Sequence, residues 1–175
     1  MKIAYFVENY GRGGVDTFIS NLLRKNLFND KIYLIYNENN PGISSLKKLK
    51  RIKLIKYSIF SWDPILNKYK NNIFISFLKI IYSIIFPITF LYQIIKLYFF
   101  FKPYSFDKIL IINGGYPGGD ICLAATIVWS KINPQKKPWI NFHNFALKSN
   151  KILLLNFYKN FIDRLIKKSI IGFVS

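Results

Sequence analysis

Acidic residues are scarce in this chain. Eight Asp and Glu stand against 26 Lys and Arg, a formal net charge of +18 over 175 residues. Only Glu8 and Glu38 are glutamates, and no acids recur at helical spacing, so paired-carboxylate acid and base catalysis has no visible basis. His143 is the one histidine and Cys122 the one cysteine. Nucleophilic triads and zinc sites need histidines, and a cysteine metal cluster needs more thiols, so no metal site is expected. A single cysteine also excludes an internal disulfide and suits a reducing compartment. The first apolar run is cut by Glu8 and Asn9, too early for a secretory signal, which points to a cytoplasmic location.

What the chain has in quantity is apolar surface and positive charge. Half its residues are apolar and 18% are aromatic. The positive balance predicts an anionic partner: a membrane, a nucleic acid or a phosphorylated substrate. The apolar content favours the membrane surface. A nucleic-acid binder is not expected, because no RNA or DNA motif is present and the aromatics sit in apolar runs rather than on stacking platforms. Binding to acidic liposomes against RNA at matched salt separates the two. By length the chain is one domain with ample material for a core, and it shows no repeat or low-complexity linker.

The opening MKIAYFVENYGRGGVDTFISNLL is the most informative stretch. Ile3 to Val7 form a continuous apolar run suited to a central parallel strand covered on both faces. From Val15 the apolar residues recur at Phe18, Ile19, Leu22, Leu23 and Leu27, spaced as one face of a helix. Gly11, Gly13 and Gly14 lie between the two. Such a turn either merely needs glycine or lets the backbone and the helix amides approach a phosphate or carboxylate. The spacing is not the GxGxxG of dinucleotide enzymes.

Further strands are predicted at 31–37, near 51–57, in FDKILIINGG, in KPWINFHNF and in SIIGFVS. Helices are predicted over DICLAATIVWSKI, with Asp120 as N-cap, and over NKILLLNFYKNFIDRLIKK, with Ser149 or Asn150 as cap. Strands alternating with helices predict an α/β fold: a doubly wound, mainly parallel, Rossmann-like sheet of about six strands with helices on both faces. Ligands bind such sheets beyond the carboxyl ends of the strands, where three special loops leave: ENYGRGG, NGGYPGGD and HNF. A lone histidine near an apolar strand is more often structural, but His143 at a strand's carboxyl end is a candidate for a direct role.

Residues 73–101 form the most apolar stretch, long enough to span a bilayer as a helix. The strands on both sides belong to one sheet and the flanking lysines show no inside bias, so a crossing is not expected. Ser76, Lys79 and Ser83 form one narrow polar stripe and Thr89, Gln93 and Lys96 another. Two amphipathic helices broken at Pro87 are therefore predicted, as an apolar insert at about 63–103. They either cover the sheet or lie in the plane of an anionic membrane surface, with Phe74, Ile81, Phe90 and Leu97 on the membrane side.

In their order, these motifs resemble the amino-terminal domain of GT-B glycosyltransferases, in particular the retaining family 4. The GG-x-E/D loop of that family is matched by Gly13, Gly14, Val15 and Asp16. Asn113, Gly114 and Gly115 match the fourth-strand loop, and His143 and Asn144 the His-containing loop after the fifth strand. Asp16 stands where Glu is commoner, and Asn144 where Asp is frequent. The resemblance runs over 1–175 and implies the acceptor-side domain of a metal-independent retaining enzyme without a bound cofactor. It implies His143 near the transferred sugar, with Gly13, Gly14, Val15, Asp16, Asn113, Gly114, Gly115 and Asn144 binding substrate. It further implies that a nucleotide-sugar donor is held mainly by a carboxyl-terminal domain with a paired-glutamate motif, which nothing here matches, and that the acceptor is lipid-linked or a glycan. A non-enzymatic Rossmann-like membrane-docking or binding module has the same expected sheet.

Overall fold

The computed structural model describes residues 1–11, 14–24, 30–46, 52–69, 73–113, 119–142, 153–170 and 172–174. Strand β1 (Lys2–Glu8) is followed by α1 (Gly14–Arg24), β2 (Lys31–Asn37), α2 (Ile43–Leu46) and β3 (Ile52–Tyr57). Then come α3 (Asp63–Lys68), α4 (Ile75–Phe101), β4 (Lys108–Asn113), α5 (Asp120–Ile132), β5 (Trp139–Phe142), α6 (Leu153–Ser169) and β6 (Gly172–Val174). The strands form one sheet in the order β3-β2-β1-β4-β5-β6 with every neighbouring pair parallel. This is the Rossmann-like, doubly wound α/β architecture, and its strand order reverses between β1 and β4.

The side chains of β1 alternate between two cores. Tyr5 and Val7 pack with Ile19, Leu23 and Leu46 under α1 and α2. Ala4 and Phe6 pack on the other face with residues of α4, α5 and α6, among them Phe101, Ile121, Trp129 and Ile162. Phe6 stands in register with Ile35 on β2 and Ile111 on β4, at the centre of the sheet. Parity therefore sends Glu8, the next even residue, toward the α5 side.

Helix α5 is the buried centre of that second layer, with every residue from Asp120 to Trp129 buried. It packs against both α4 and α6. Trp129 is fully buried, its indole N–H donates to the Lys136 carbonyl at 2.8 Å, and its ring contacts Phe101 and Phe106. Its replacement by Ala in such a setting costs about 3–5 kcal/mol.

Three expectations about the apolar stretch need correction. Helix α4 runs unbroken from Ile75 to Phe101 with Pro87 inside it, rather than as two helices. The buried stripe Tyr82, Phe86, Phe90, Leu97 and Phe101 is continuous across the proline, and that packing outweighs the missing backbone hydrogen bond. The polar stripes mark the wet face only in part: Ser76 and Lys96 are exposed, but Ser83 and Gln93 are buried. Ser83 Oγ donates to the Ile80 carbonyl of the preceding turn at 2.7 Å, and Gln93 Nε2 to the Phe60 carbonyl at 3.0 Å, so each has a backbone acceptor. Phe90 and Leu97, expected to face a membrane, belong to the core, whereas Phe74 is exposed and Ile81 half-buried. Helices α3 and α4 both fall within the stretch 63–103 expected as a helical insert, and they provide the β3-to-β4 connection that carries the chain across the sheet.

Candidate functional site

The crevice of a doubly wound sheet opens at the carboxyl edge where the strand order reverses, here between β1 and β4. Glu8 and Asn113, the last residues of those strands, are in register there.

Asn9 continues the chain beyond Glu8 and organises the β2 side. Its backbone N–H donates to Asn37 Oδ1 at 2.8 Å, and Asn37 Nδ2 returns a bond to the Asn9 carbonyl at 2.8 Å. Asn9 Nδ2 donates to Asp16 Oδ1 at 2.9 Å, and Asn9 Oδ1 accepts the Gly11 N–H at 3.2 Å. The Asp16 carboxylate lies against Gly42, where a Cβ would collide with it. The Gly42 N–H is held by Asn40 Oδ1 at 2.9 Å. Asp16, in the first turn of α1, is thus fixed by a lattice of amides. Gly14 opens α1 and is exposed, and a Cβ built there meets nothing. No packing within the described residues demands glycine at that position. Val15 is half-buried against the core beneath α1.

On the α5 side Glu8 is 5% exposed. Its Oε2 accepts the backbone N–H groups of Ile121 at 3.1 Å and Cys122 at 3.3 Å, and its Oε1 accepts the Ser61 hydroxyl at 3.1 Å. The N-cap position of α5 is Gly119, at φ +65°, and not Asp120 as the sequence predicts. Glu8, arriving from a distant strand, satisfies the amides that a capping side chain would otherwise take. Asp120 is buried one residue further on, where its Oδ2 accepts the Tyr82 hydroxyl at 2.5 Å. Its Oδ1 has no partner among the described residues. Asn113 is buried against Gly119, whose lack of a Cβ makes room for the amide.

Asp63, in the first turn of α3, completes a trio of acids with Glu8 and Asp120. Burial first, and the neighbouring carboxyls next, push Glu8 well above its ordinary range. Asp63 is pushed up to about 6, by burial and then by Asp120, against the pull of Lys159 and the Gly119 N–H. Burial also raises Asp120 and the phenols of Tyr10, Tyr57 and Tyr82. Such carboxyls hold protons that ordinary acids release, and this is how like charges coexist in a desolvated space. The trio ties the ends of β1, the β3–α3 connection and the start of α5 together beneath the crevice.

Of the residues expected at the site, Asp16 and Asn113 flank the end of β1 on opposite sides, with Gly14 and Val15 at the head of α1. Gly13, Gly114, Gly115, His143 and Asn144 lie outside the described residues, as do Ser149 and Asn150. Sequence reasoning missed Glu8, Asn9, Asn37, Asp63 and Tyr82. The signal available for Glu8 was its parity with Ala4 and Phe6 at the end of an apolar strand. For Asp63 and Tyr82 no local signal exists, because only the crossover brings them to the sheet edge. Cys122 is a free, buried thiol.

No protein-family model matches the chain, and no curated protein matches it. Among solved structures, dTDP-glucose 4,6-dehydratase from Bacillus anthracis str. Ames in complex with NAD is similar at 13% identity and a TM-score of 0.39. The match covers 94% of this chain and 62% of that one, so the chain spans less than two thirds of its length.

Proposed function

We propose that this chain is the acceptor-side domain of a retaining, metal-independent GT-B glycosyltransferase. The enzyme moves a sugar from a nucleotide sugar to a lipid-linked or saccharide acceptor, on the cytoplasmic side, in surface polysaccharide or glycolipid synthesis. The observation that carries the reading is the amide and carboxylate lattice at the switch point, where Asn9, Asn37 and Asp16 are locked beside the start of α1. Amides and carboxylates offer the mixture of donors and acceptors that sugar hydroxyls need. On this reading Asp16 and Asn113 contact substrate, Gly13, Gly14, Gly114 and Gly115 allow close backbone approach, and His143 with Asn144 lies near the transferred sugar. The nucleotide is held mainly by a second domain.

A glycan array probed with the chain and with its Asp16→Ala variant tests this. Binding to saccharides that the variant loses, at unchanged circular dichroism, is the expected result. The 175-residue chain alone should neither transfer sugar nor hydrolyse nucleotide sugars. An array blank for both proteins overturns the reading, and efficient transfer by the chain alone overturns the division of labour.

A further inference from the structure

Helix α4 is apolar on both faces, and only one of them is used by the fold. Opposite the buried stripe, Phe77, Ile84, Ile88 and Ile95 are each between 49% and 71% exposed. They are spaced by four and seven residues, so they line one side of a helix about 40 Å long. On the neighbouring α6, Phe157 and Phe161 are 68% and 58% exposed. The two helices bound a groove of about 440 Å³, lined by Pro87 and Leu91 on one wall and Phe157 and Phe161 on the other. The exposed stripes and the groove make one continuous apolar surface, larger than monomeric soluble proteins usually leave to water.

Charge identifies what covers it. The side of α6 that carries Phe157 and Phe161 continues, at steps of three and four, into the exposed Arg164 and Lys168. Lys96 is exposed on α4, its ammonium 5.8 Å from the centre of the Tyr92 ring. An apolar face fringed by cations on a chain of net charge +18 complements an anionic lipid surface. It opposes a second copy of the same charge. A bilayer crossing is excluded by the connections: α4 leads from the β3 side of the sheet into β4, and its inner face packs on α5.

We propose that the outer face of α4 and α6 docks in the plane of an anionic bilayer leaflet. Phe77, Ile84, Ile88, Ile95, Phe157 and Phe161 enter the acyl boundary, and Arg164 and Lys168 meet headgroup phosphates. The proposal stands apart from sugar transfer, because it rests on a different surface.

Flotation of the full chain with vesicles of phosphatidylglycerol and phosphatidylcholine, and with phosphatidylcholine alone, is the test. Wild-type protein should float with the anionic vesicles and far less with the neutral ones. The double variant Ile88→Ser, Phe157→Ser should partition roughly tenfold or more weakly with unchanged circular dichroism and melting, since both side chains lie outside the core. Arg164→Glu with Lys168→Glu should weaken binding to anionic vesicles only. Wild-type protein left unbound by anionic vesicles at low salt overturns the proposal, as does equal binding to neutral vesicles. A concentration-dependent dimer in sedimentation that the Ile88→Ser, Phe157→Ser pair abolishes also overturns it, assigning the face to a second copy.

Discussion

Glu8 at the end of β1 accepts the backbone N–H of Cys122 at 3.3 Å, so the first strand of the sheet caps a helix far along the chain. The neighbouring N–H of Ile121 shares the same oxygen at 3.1 Å. The bond fixes α5 against the strand whose exit loop forms the crevice.

Glu8→Ala should therefore cost about 2–3 kcal/mol, because it leaves buried amides and the Ser61 hydroxyl without their acceptor. Glu8→Gln keeps an acceptor oxygen for the helix and should cost less than about 1 kcal/mol. Urea denaturation of the two variants checks the order. Equal losses would mean that the carboxyl group itself is required and that an amide oxygen of the same shape cannot replace it.

Stability should fall as pH rises through about 6. Asp63 moves from an ordinary value of 3.8 to about 6 in the folded chain, first through burial and then through the charge of Asp120. A carboxyl raised on folding contributes stability that is complete below its unfolded value and lost above its folded one. Glu8 and Asp120 are shifted in the same direction. The chain should thus be more stable at pH 5 than at pH 7.5, by about 1–3 kcal/mol. Asp63→Asn should flatten that slope in denaturant midpoints, and an unchanged slope would locate its source elsewhere.

Gly42→Ala should destabilise by about 1–3 kcal/mol, since the new methyl meets the Asp16 carboxylate. Removing that carboxylate with Asp16→Ala should relieve most of the loss. A double-mutant cycle on melting temperature reads the coupling directly. Additive losses would show that Gly42 is needed for its backbone alone.

Pro87→Ala should raise the melting temperature. The helix already passes through position 87 with its packed stripe intact, and alanine restores a backbone donor there. The gain expected is about 1–3 kcal/mol. A loss would mean that the proline ring's place in the groove wall is worth more than the missing hydrogen bond.

Much of the fold can be read from the chain itself. The apolar runs at Ile3–Val7 and at 31–37, broken by turn residues and alternating with helical spacings, are enough for a parallel doubly wound sheet, because short buried strands and amphipathic helices have few other ways to cover one another. The glycines between Val7 and Val15 mark the first loop for the same local reason. Asp16 and Asn113 are singled out by the resemblance of their motifs to the GT-B amino-terminal domain, not by periodicity or spacing.

Tertiary structure alone decided which sides are wet and which groups meet. Ser83 and Gln93 are polar by sequence yet buried: Ser83 donates to the Ile80 carbonyl of its own helix and Gln93 to the Phe60 carbonyl, while isoleucine and phenylalanine hold much of the exposed side of α4. Periodicity reports where polarity changes, not where partners wait. In the same way the sequence by itself determined that Asp120 stands at a helix start, but not that Glu8 caps that helix in its place. Capping by a neighbour in sequence is a local event, whereas Glu8, Asp63 and Asp120 are joined only when the β3-to-β4 crossover closes over the sheet. Desolvation then raises the proton affinity of all three, a property that none of them has in the unfolded chain.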